Sequence, residues 1–260
     1  MKALMLAAGM ARRLYGDNND ELPKALLRFQ GQSLLQRHIE LLQAYGFEQL
    51  TLIVGHRHDE LLKEAETVAR PGFIDSVYNP RYREGPVLSL SLGGDVLRSG
   101  SDVLFMDADV LYHPLLLEKL VSSPHHNCMI FDRQFQSTDD FVKVCVEGDR
   151  VVEFGKGIQR DDDAVGEWPG FLKINPATAA KVADAADELI AEGAIEGAYE
   201  RAFCRVMERD PACGFGHEDI TGIPWIEIDY PEDLAKAEGR TFPHIAEYLA
   251  EISVVEVAAD

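Results

Sequence analysis

Long apolar runs are missing from this sequence of 260 residues. No stretch approaches the ~20 apolar residues that a transmembrane helix needs. The N-terminal apolar run, Ala3 to Ala8, is too short for the central region of a signal peptide and has no cleavage pattern after it. The sequence therefore predicts a protein that does not insert into a membrane.

Cysteines and basic residues are also scarce. With 25 basic against 45 acidic residues, the formal net charge is −20, which argues against nucleic acid or an anionic membrane as a partner. An anionic ligand would then need a local cluster of cations. The cysteines lack Cys-x-x-Cys spacing, which favours reduced thiols in the cytoplasm over a zinc site or a disulfide framework. They are Cys128, Cys145, Cys204 and Cys213.

Hydrophobic residues make up 46% of the chain, which suffices for a substantial core. Along the chain, short continuous apolar runs alternate with segments in which apolar residues recur at helical spacing. Short apolar runs predict strands, and spacings of three and four predict helices. The first five elements read as strand Ala3–Ala8, helix Ser33–Tyr45, strand Leu50–Val54, helix His58–Ala69 and strand Phe73–Tyr78. This order predicts a largely parallel sheet with helices on both faces and ligands beyond the carboxyl ends of its strands.

The remaining elements are predicted from the same signals and from turn residues. The predicted helices are one from Pro86, with Leu88, Leu92 and Val96 on one face, then Pro114–Val121, Pro176–Glu192, Ala198–Met207 and a terminal helix His244–Glu251. The predicted strands are Asp102–Met106, Cys128–Phe131, a hairpin of Val142–Glu147 and Val151–Phe154, and Glu167–Ile174. A solvated acidic loop is predicted at Asp161–Asp163 and a mobile loop at Asp210–His217.

The turn after the first strand combines small residues with cations. Gly9 ends the apolar run, Arg12 and Arg13 follow, and Pro23 and Lys24 come shortly afterwards. Backbone N–H groups of such a turn can point at an anion while the cations offset its charge. An ordinary first strand and turn is the alternative interpretation, because glycine loops are common.

The whole string resembles the signature of the nucleotidyltransferase superfamily, which includes sugar-nucleotide pyrophosphorylases and small-molecule cytidylyltransferases. That signature reads L-A-A-G-x-G-x-R-L, with P-K about ten residues later, and Ala11 stands at its second glycine. A methyl group there can narrow the loop or forbid a positive φ. The resemblance implies catalytic roles for Lys24 and Arg13. It implies nucleotide binding by Leu6, Ala7, Ala8, Gly9, Met10, Ala11 and Arg12.

The resemblance covers most of residues 1–238 and implies their fold. We expect an α/β protein with a Rossmann-like (GT-A-like) three-layer sandwich and a mostly parallel mixed sheet. Residues 1–238 would form the nucleotidyltransferase domain, with an acceptor-pocket hairpin and strand at about 140–175. Residues 239–260 would be a C-terminal helix and tail.

Carboxylates follow two predicted strands. Asp107 and Asp109 stand after one, and Glu227 and Asp229 stand in the segment Trp225-Ile-Glu-Ile-Asp-Tyr-Pro-Glu-Asp-Leu. Carboxylate oxygens suit Mg²⁺, and the resemblance implies Asp109 and Asp229 as its ligands, with Asp107 and Glu227 as further candidates. A strand end facing water and an N-cap at Asp229 remain open as alternatives.

Two more segments resemble small-substrate cytidylyltransferases. Asn79 and Ser89 match residues that help hold the nucleotide base, although Pro86 replaces an asparagine of that pattern, and Ser89 can also be a small residue of a helix's first turn. The segments that receive the acceptor contain Lys143, Lys156, Glu167, Trp168, Gly170, Tyr199 and Glu200. Solvated lysines and core aromatic rings are the alternatives for this set.

The resemblance implies a Mg²⁺-dependent cytidylyltransferase that joins CTP to a small phosphate or phosphonate, of the phosphocholine or 2-aminoethylphosphonate type, and releases pyrophosphate. The acceptor is already ionised, since a phosphomonoester has its second pKa near ~6, so no Ser-His-Asp triad is needed. A sugar-1-phosphate nucleotidyltransferase is the alternative. A metal-dependent glycosyltransferase and a non-catalytic nucleotide-binding module are more distant ones. A homodimer stays open.

Overall fold

The computed structural model describes residues 1–16, 20–134, 141–158 and 164–257, so the acidic run at 161–163 lies outside the described residues. Its largest sheet has seven strands in the order β13-β8-β12-β6-β1-β4-β5. The strands are β1 Lys2–Ala7, β2 Arg28–Phe29, β3 Gln32–Ser33, β4 Gln49–Val54, β5 Ile74–Tyr78, β6 Val103–Asp107, β7 Val110–Tyr112, β8 Asn127–Phe131, β9 Lys143–Glu147, β10 Arg150–Gly155, β11 Ala164–Glu167, β12 Phe171–Ile174, β13 Phe215–Asp219 and β14 Trp225–Glu227.

The predicted mostly parallel mixed sheet is confirmed. Strand β12 runs antiparallel to both of its neighbours, β6 and β8, and the other pairs of this sheet are parallel. Leu6 pairs with Ile53 of β4 on one side and with Asp107 of β6 on the other. This register brings the turn after β1 and the carboxylates after β6 to the same edge of the sheet.

Helices cover both faces of the sheet, as the alternation of elements predicted. The helices are α1 Arg12–Tyr15, α2 Leu34–Ala44, α3 His58–Glu66, α4 Pro86–Leu92, α5 Gly94–Leu97, α6 Pro114–Ser122, α7 Pro176–Ala191, α8 Glu200–Arg209, α9 Pro231–Lys236 and α10 Phe242–Val257. Along β1 the side chains alternate, so that Leu4 enters one core cluster with α4, α5, α7 and α8, whereas Met5 enters another with α2, α3 and α6. The chain thus forms three layers.

The helix expected from Pro86 is shorter than predicted. Helix α4 ends at Leu92, and the chain restarts as α5 after Gly93. A Cβ at Gly93 would lie 2.6 Å from Leu4 Cδ2 and 3.1 Å from the Leu90 carbonyl oxygen, so a side chain there would force Leu4 of the central strand to shift. Leu92, predicted to share one face with Leu88 and Val96, is 37% exposed, whereas the other two are buried.

Two further predictions about the second half are wrong. Residues 167–174 do not form one strand, because β11 pairs with β9 in a three-stranded sheet while β12 belongs to the seven-stranded one. Gly170 lies between them with φ +87°. Residues 210–217 are not a mobile loop. They contain a 3₁₀ turn, Pro211–Cys213, and the start of β13, which pairs with β8 as an edge strand.

The C-terminal part is one continuous helical run. A π-helical turn, Ala237–Thr241, joins α9 to α10, and Phe242 and Ile245 pack in a third core cluster with Leu14 and Ile228. The predicted domain boundary at 238/239 falls inside this run, so the division into two parts stays a prediction. Among the residues that the structure covers, no helix has both the length and the apolar character to cross a membrane.

Lys173 stands in the middle of the sheet, on β12, and is 7% exposed. Its Nζ donates to the carbonyl oxygens of Val121 at 3.3 Å and Ser123 at 2.8 Å, at the end of α6. A cation suits a helix C-terminus, where carbonyl groups lack partners within the helix. The ammonium group of Lys173 therefore stabilises the end of α6.

We expect Lys173→Met to lower the free energy of unfolding by ~1–3 kcal/mol, because charged hydrogen bonds are lost and buried carbonyl groups are left without a donor. Chemical denaturation measures this change. The control is Lys181→Met, whose exposed ion pair with Asp210 should contribute little to stability. Equal stability of both variants would contradict the role given to Lys173, and neither variant should alter turnover.

Candidate active site

A cleft of about 500 Å³ lies at the carboxyl-end edge of the sheet, beyond β1 and β6. Its lining contains most of the residues that the sequence singled out. From the nucleotide-binding and catalytic predictions it includes Leu6, Ala7, Ala8, Gly9, Met10, Ala11, Arg12, Arg13, Lys24 and Ser89. From the metal and acceptor predictions it includes Asp107, Asp109, Glu227, Lys156, Trp168, Gly170, Tyr199 and Glu200.

The turn after β1 leaves its backbone open to the cleft. A Cβ built on Gly9 would meet no described atom within 4 Å, so a ligand can approach the main chain there. Ala11 adopts the left-handed conformation, with φ +55° and ψ +34°, despite its methyl group. That methyl group is buried in the cluster with Leu14 and Ile228. The alanine therefore does not forbid the positive φ that the second glycine of the signature would supply.

Two cations meet two carboxylates at one wall of the cleft. Lys24 Nζ donates to Asp109 Oδ2 at 2.8 Å and also to Asp229 Oδ1, and Arg13 lies 2.8 Å from Asp229. The Lys24 side chain is only 12% exposed. Burial alone would lower the pKa of Lys24, but the two aspartates outweigh it and raise the pKa above its ordinary value. Lys24 is therefore a fixed positive charge at neutral pH.

Glu227 joins these aspartates. One ligand atom each of Asp109, Glu227 and Asp229 lies within 4.8 Å of the others. The pKa of Glu227 is raised to about 8, chiefly by burial and to a smaller extent by repulsion from Asp109 and Asp229. The group arises because β14 pairs with β7, with Glu227 opposite Val110, next to Asp109. An acidic group of oxygen donors on two neighbouring segments can hold a divalent metal ion.

Asp107 lies outside that group of three carboxylates. It is partly buried, and its Oδ2 accepts a hydrogen bond from the Tyr199 hydroxyl. Burial of the carboxyl group, with repulsion from Asp109, raises the pKa of Asp107 well above its ordinary value. A Cβ on Gly170 would lie 2.7 Å from Asp107 Oδ2, which explains the need for glycine there. The metal role for Asp107 stays a prediction.

The opposite wall of the cleft is formed by aromatic and charged side chains. Trp168 is 2% exposed, packs on Phe105 and Tyr199, and donates Nε1–H to the Phe171 carbonyl oxygen at 2.7 Å. Glu200 is buried, which raises its pKa, while the nearby charge of Lys156 acts in the opposite direction. Trp168 therefore packs in the core and also lines the cleft.

Four predicted site residues are not among the described residues that line the cleft. One is Asp229, which contacts the lining residues Arg13 and Lys24. Asn79 is 1% exposed, donates to Ser89 Oγ at 3.0 Å and accepts from the Arg81 amide, so it orients Ser89 from behind. Lys143 stands on β9 and pairs with Glu167 of β11 across the small sheet. Binding roles for Asn79, Lys143 and Glu167 stay predictions.

His38 is a functional candidate that the sequence interpretation did not identify. A backbone carbonyl can only accept, so His38 Nε2, 3.3 Å from Ala108 O, must carry the hydrogen, and Nδ1 accepts from the Tyr112 hydroxyl at 3.3 Å. Burial lowers the pKa of His38 to about 4, which keeps it neutral. It braces the Asp107–Asp109 turn. The sequence feature that could have identified His38 is the presence of a histidine on the apolar face of α2.

The family model of the MobA-like NTP transferase domain matches residues 3–194. The chain belongs to this family. The match includes the loop with Gly9 and Ala11, Lys24, and the strand end with Asp107 and Asp109.

Two curated relatives are similar over most of the chain. A bifunctional IPC transferase and DIPP synthase from Rubrobacter xylanophilus is 28% identical over 239 residues, which is 91% of this chain and 51% of that protein. A CMP-5'-(3-aminopropyl)phosphonate synthase from Streptomyces rubellomurinus is 27% identical over 255 residues, 94% of this chain and 39% of that protein. The chain thus spans about half of the first relative's length and about two fifths of the second's.

The fold is shared with a solved structure of CTP:phosphocholine cytidylyltransferase from Streptococcus pneumoniae. The TM-score is 0.69 at 22% identity, and the match covers 91% of this chain and 97% of the other. This likeness confirms the Rossmann-like nucleotidyltransferase fold that the sequence predicted.

The environment of Glu167 can be tested through the pKa of its carboxyl group. Burial, followed by repulsion from Asp132 and Asp233, raises the pKa of Glu167 to about 7. The folded protein holds this proton more tightly than the unfolded chain, so stability is lost as pH rises from ~4.5 through 7. We expect Glu167→Gln to raise the melting temperature at pH 8 and to leave it unchanged at pH 4.5.

The measurement is thermal unfolding followed by circular dichroism at both pH values. The control is Glu153→Gln, on β10 at the other edge of the same three-stranded sheet. An equal effect at both pH values would contradict the raised pKa of Glu167. An increased KM for the acceptor in the same variant would support the acceptor-binding prediction instead.

Proposed function

We propose that this chain is a Mg²⁺-dependent cytidylyltransferase, which transfers CMP from CTP to a small phosphate or phosphonate and releases pyrophosphate. The observation that carries the proposal is the position of Lys24. Its ammonium group lies between Asp109 and Asp229 in a cleft that begins at an open, small-residue loop. Nucleotidyl transfer between two anionic substrates needs a loop that binds phosphate, a fixed cation and a group of carboxylates.

The nucleotide is held on the β1 side of the cleft. Main-chain N–H groups near Gly9 and the guanidinium of Arg13 bind the triphosphate, and Lys24 reaches the α-phosphate. Ser89, oriented by Asn79, contacts the base. Lys24 stays protonated throughout, so it does not act as a base. It stabilises the charge that develops on the phosphate oxygens during transfer.

The carboxylates fit a hard divalent cation. Asp109 and Asp229, with Glu227 beside them, present oxygen donors within 4.8 Å of one another. When bound, Mg²⁺ would supply charge stabilisation at the transferring phosphorus. The side chains of Arg13 and Lys24 contact the oxygens of the Asp229 carboxylate and hold it in place.

The acceptor is an amine-bearing phosphate or phosphonate in this proposal. Lys156 binds the anionic head, and the ring faces of Trp168 and Tyr199 with the Glu200 carboxylate receive the cationic tail. An ammonium over an aromatic ring gains roughly 0.5–2 kcal/mol. The phosphonate named in the CMP-5'-(3-aminopropyl)phosphonate synthase relative has this chemistry.

The same proposal places the protein in the cytoplasm. All four cysteines are free thiols, including the partly exposed Cys204 and Cys213, which suits a reducing compartment.

The experiment is a panel of CTP, UTP, dTTP, ATP and GTP against phosphocholine, 2-aminoethylphosphonate, inositol 1-phosphate and glucose 1-phosphate, with Mg²⁺ and with excess chelator. Pyrophosphate release is the readout. We expect CTP with an amine-bearing acceptor to give the fastest release, and chelator to stop it.

Other outcomes would contradict this proposal. Faster release from UTP or dTTP with glucose 1-phosphate would assign the chain to sugar-nucleotide synthesis. Nucleotide binding without release from any pair would indicate a binding module instead of an enzyme.

A further inference from the structure

The two walls of the cleft touch each other at one glycine. Gly85 ends the loop that carries Tyr82 and Arg83 and directly precedes α4. A Cβ on Gly85 would lie 1.8 Å from the Ile195 carbonyl oxygen and 3.2 Å from Glu196 Cα. The loop on the nucleotide side therefore rests on the backbone of the segment between α7 and α8.

That segment leads directly into the acceptor wall. Four residues after Ile195 comes Tyr199, followed by Glu200, and both line the cleft, as does Ser89. The neighbouring helices fix both sides of the contact, since Leu90 of α4 and Leu189 of α7 are fully buried in the same core cluster. The contact thus connects the loop before α4 to the turn after α7.

We propose that Gly85 is a positioning residue, which sets the distance between the nucleotide and the acceptor and so aligns them for transfer. This inference rests on the proposed function. The partner atoms belong to the backbone, so they cannot rotate away as a side chain would. An added methyl group requires the walls to separate by roughly 1.5 Å to reach an ordinary contact distance.

A separation of this size should affect the reaction more than binding. The nucleotide is bound largely by the β1 loop and the acceptor largely by the other wall. Each substrate can therefore bind even when the two walls are not correctly placed relative to each other. Transfer needs both reacting groups in line, and a misplacement of ~1 Å can cost about 100-fold in rate.

The test is Gly85→Ala, measured by steady-state pyrophosphate release and by CTP titration calorimetry. We expect kcat to fall by about 100-fold, with the Kd for CTP and the KM for the acceptor each within about threefold of the wild type. The control is Gly31→Ala. Gly31 has φ +83°, and a Cβ on it would meet no described atom within 4 Å, so it reports backbone strain alone.

A kcat within threefold of the wild type would overturn the inference. A large rise in the Kd for CTP with unchanged kcat would also overturn it, because Gly85 would then be a binding contact. A wild-type protein that releases no pyrophosphate in any combination would refute the proposed function, and that result is separate from either of these.

Amide hydrogen exchange on the wild-type protein keeps the inference testable if Gly85→Ala does not fold. We expect CTP alone to slow exchange at residues 195–200 at least threefold, because the nucleotide-side loop presses on this segment. Unchanged exchange there, with protection at the β1 loop, would show that the walls are independent and would overturn the inference.

Discussion

Asp109→Asn and Asp229→Asn are each expected to abolish measurable turnover and to leave the fold intact. Each substitution removes one carboxylate charge from the group that would hold the metal ion, and charge stabilisation is lost where the transferring phosphorus would lie. We expect a loss of ~3 kcal/mol or more, which is at least about 100-fold in kcat. Pyrophosphate release with CTP and the best acceptor of the panel measures it.

Metal binding gives a second readout that does not depend on turnover. Titration with Mn²⁺, followed by electron paramagnetic resonance, should show weaker binding in both variants. The control is Asp102→Asn, at the opposite end of the strand that leads to Asp109, where the side chain is distant from the cleft edge. Near-normal activity of Asp229→Asn would contradict the metal assignment.

The structure removes one alternative for Asp229 in advance. The sequence left open that this residue caps α9, which begins at Pro231. The amides of Asp229 and Tyr230 instead donate to Asp233 Oδ2, at 3.2 and 2.9 Å. The Asp229 side chain is directed to Lys24 and Arg13, so its substitution tests the cleft and not the helix start.

The layout of the site could be predicted because parallel strands place their carboxyl ends at one edge. That rule alone brings Gly9 and Asp109 together, and the register of Leu6 with Asp107 confirms it. Local signals were also sufficient for α2, where Ser33 and Gln36 form a reciprocal capping box.

Other features depend on contacts between distant segments. The proximity of Glu227 to Asp109 follows from the pairing of β14 with β7, two three-residue strands that no local pattern connects. Residues 167–174 were predicted as one strand, yet Gly170 redirects the chain between two sheets. The role of Gly85 depends on the Ile195 carbonyl, and no sequence signal reports such a backbone contact.

Lys24→Met is expected to produce the other large effect, a fall in kcat of about 10²- to 10³-fold with a much smaller rise in the KM for CTP. Methionine keeps the length and apolar stem of the side chain but removes the ammonium group. The lysine contributes chiefly as charge develops in the transition state, so ground-state binding of the nucleotide suffers less. Steady-state kinetics with varied CTP separates the two constants.

The two arginines of the loop provide the matched comparison. Arg13 lies 2.8 Å from Asp229, whereas the described contact of Arg12 is with Met10 Sδ, at 3.5 Å and on the exposed side. Arg13→Met should therefore reduce kcat/KM much more than Arg12→Met.

Mn²⁺ binding distinguishes the catalytic role of Lys24 from a purely structural one. The ammonium group and a metal ion compete for the same oxygens of Asp109 and Asp229, so Lys24→Met should bind Mn²⁺ at least as tightly as the wild type. Weaker Mn²⁺ binding would mean that Lys24 mainly holds the carboxylates in place. An increase in KM for CTP with unchanged kcat would make Lys24 a simple binding contact and would remove it from the transition state.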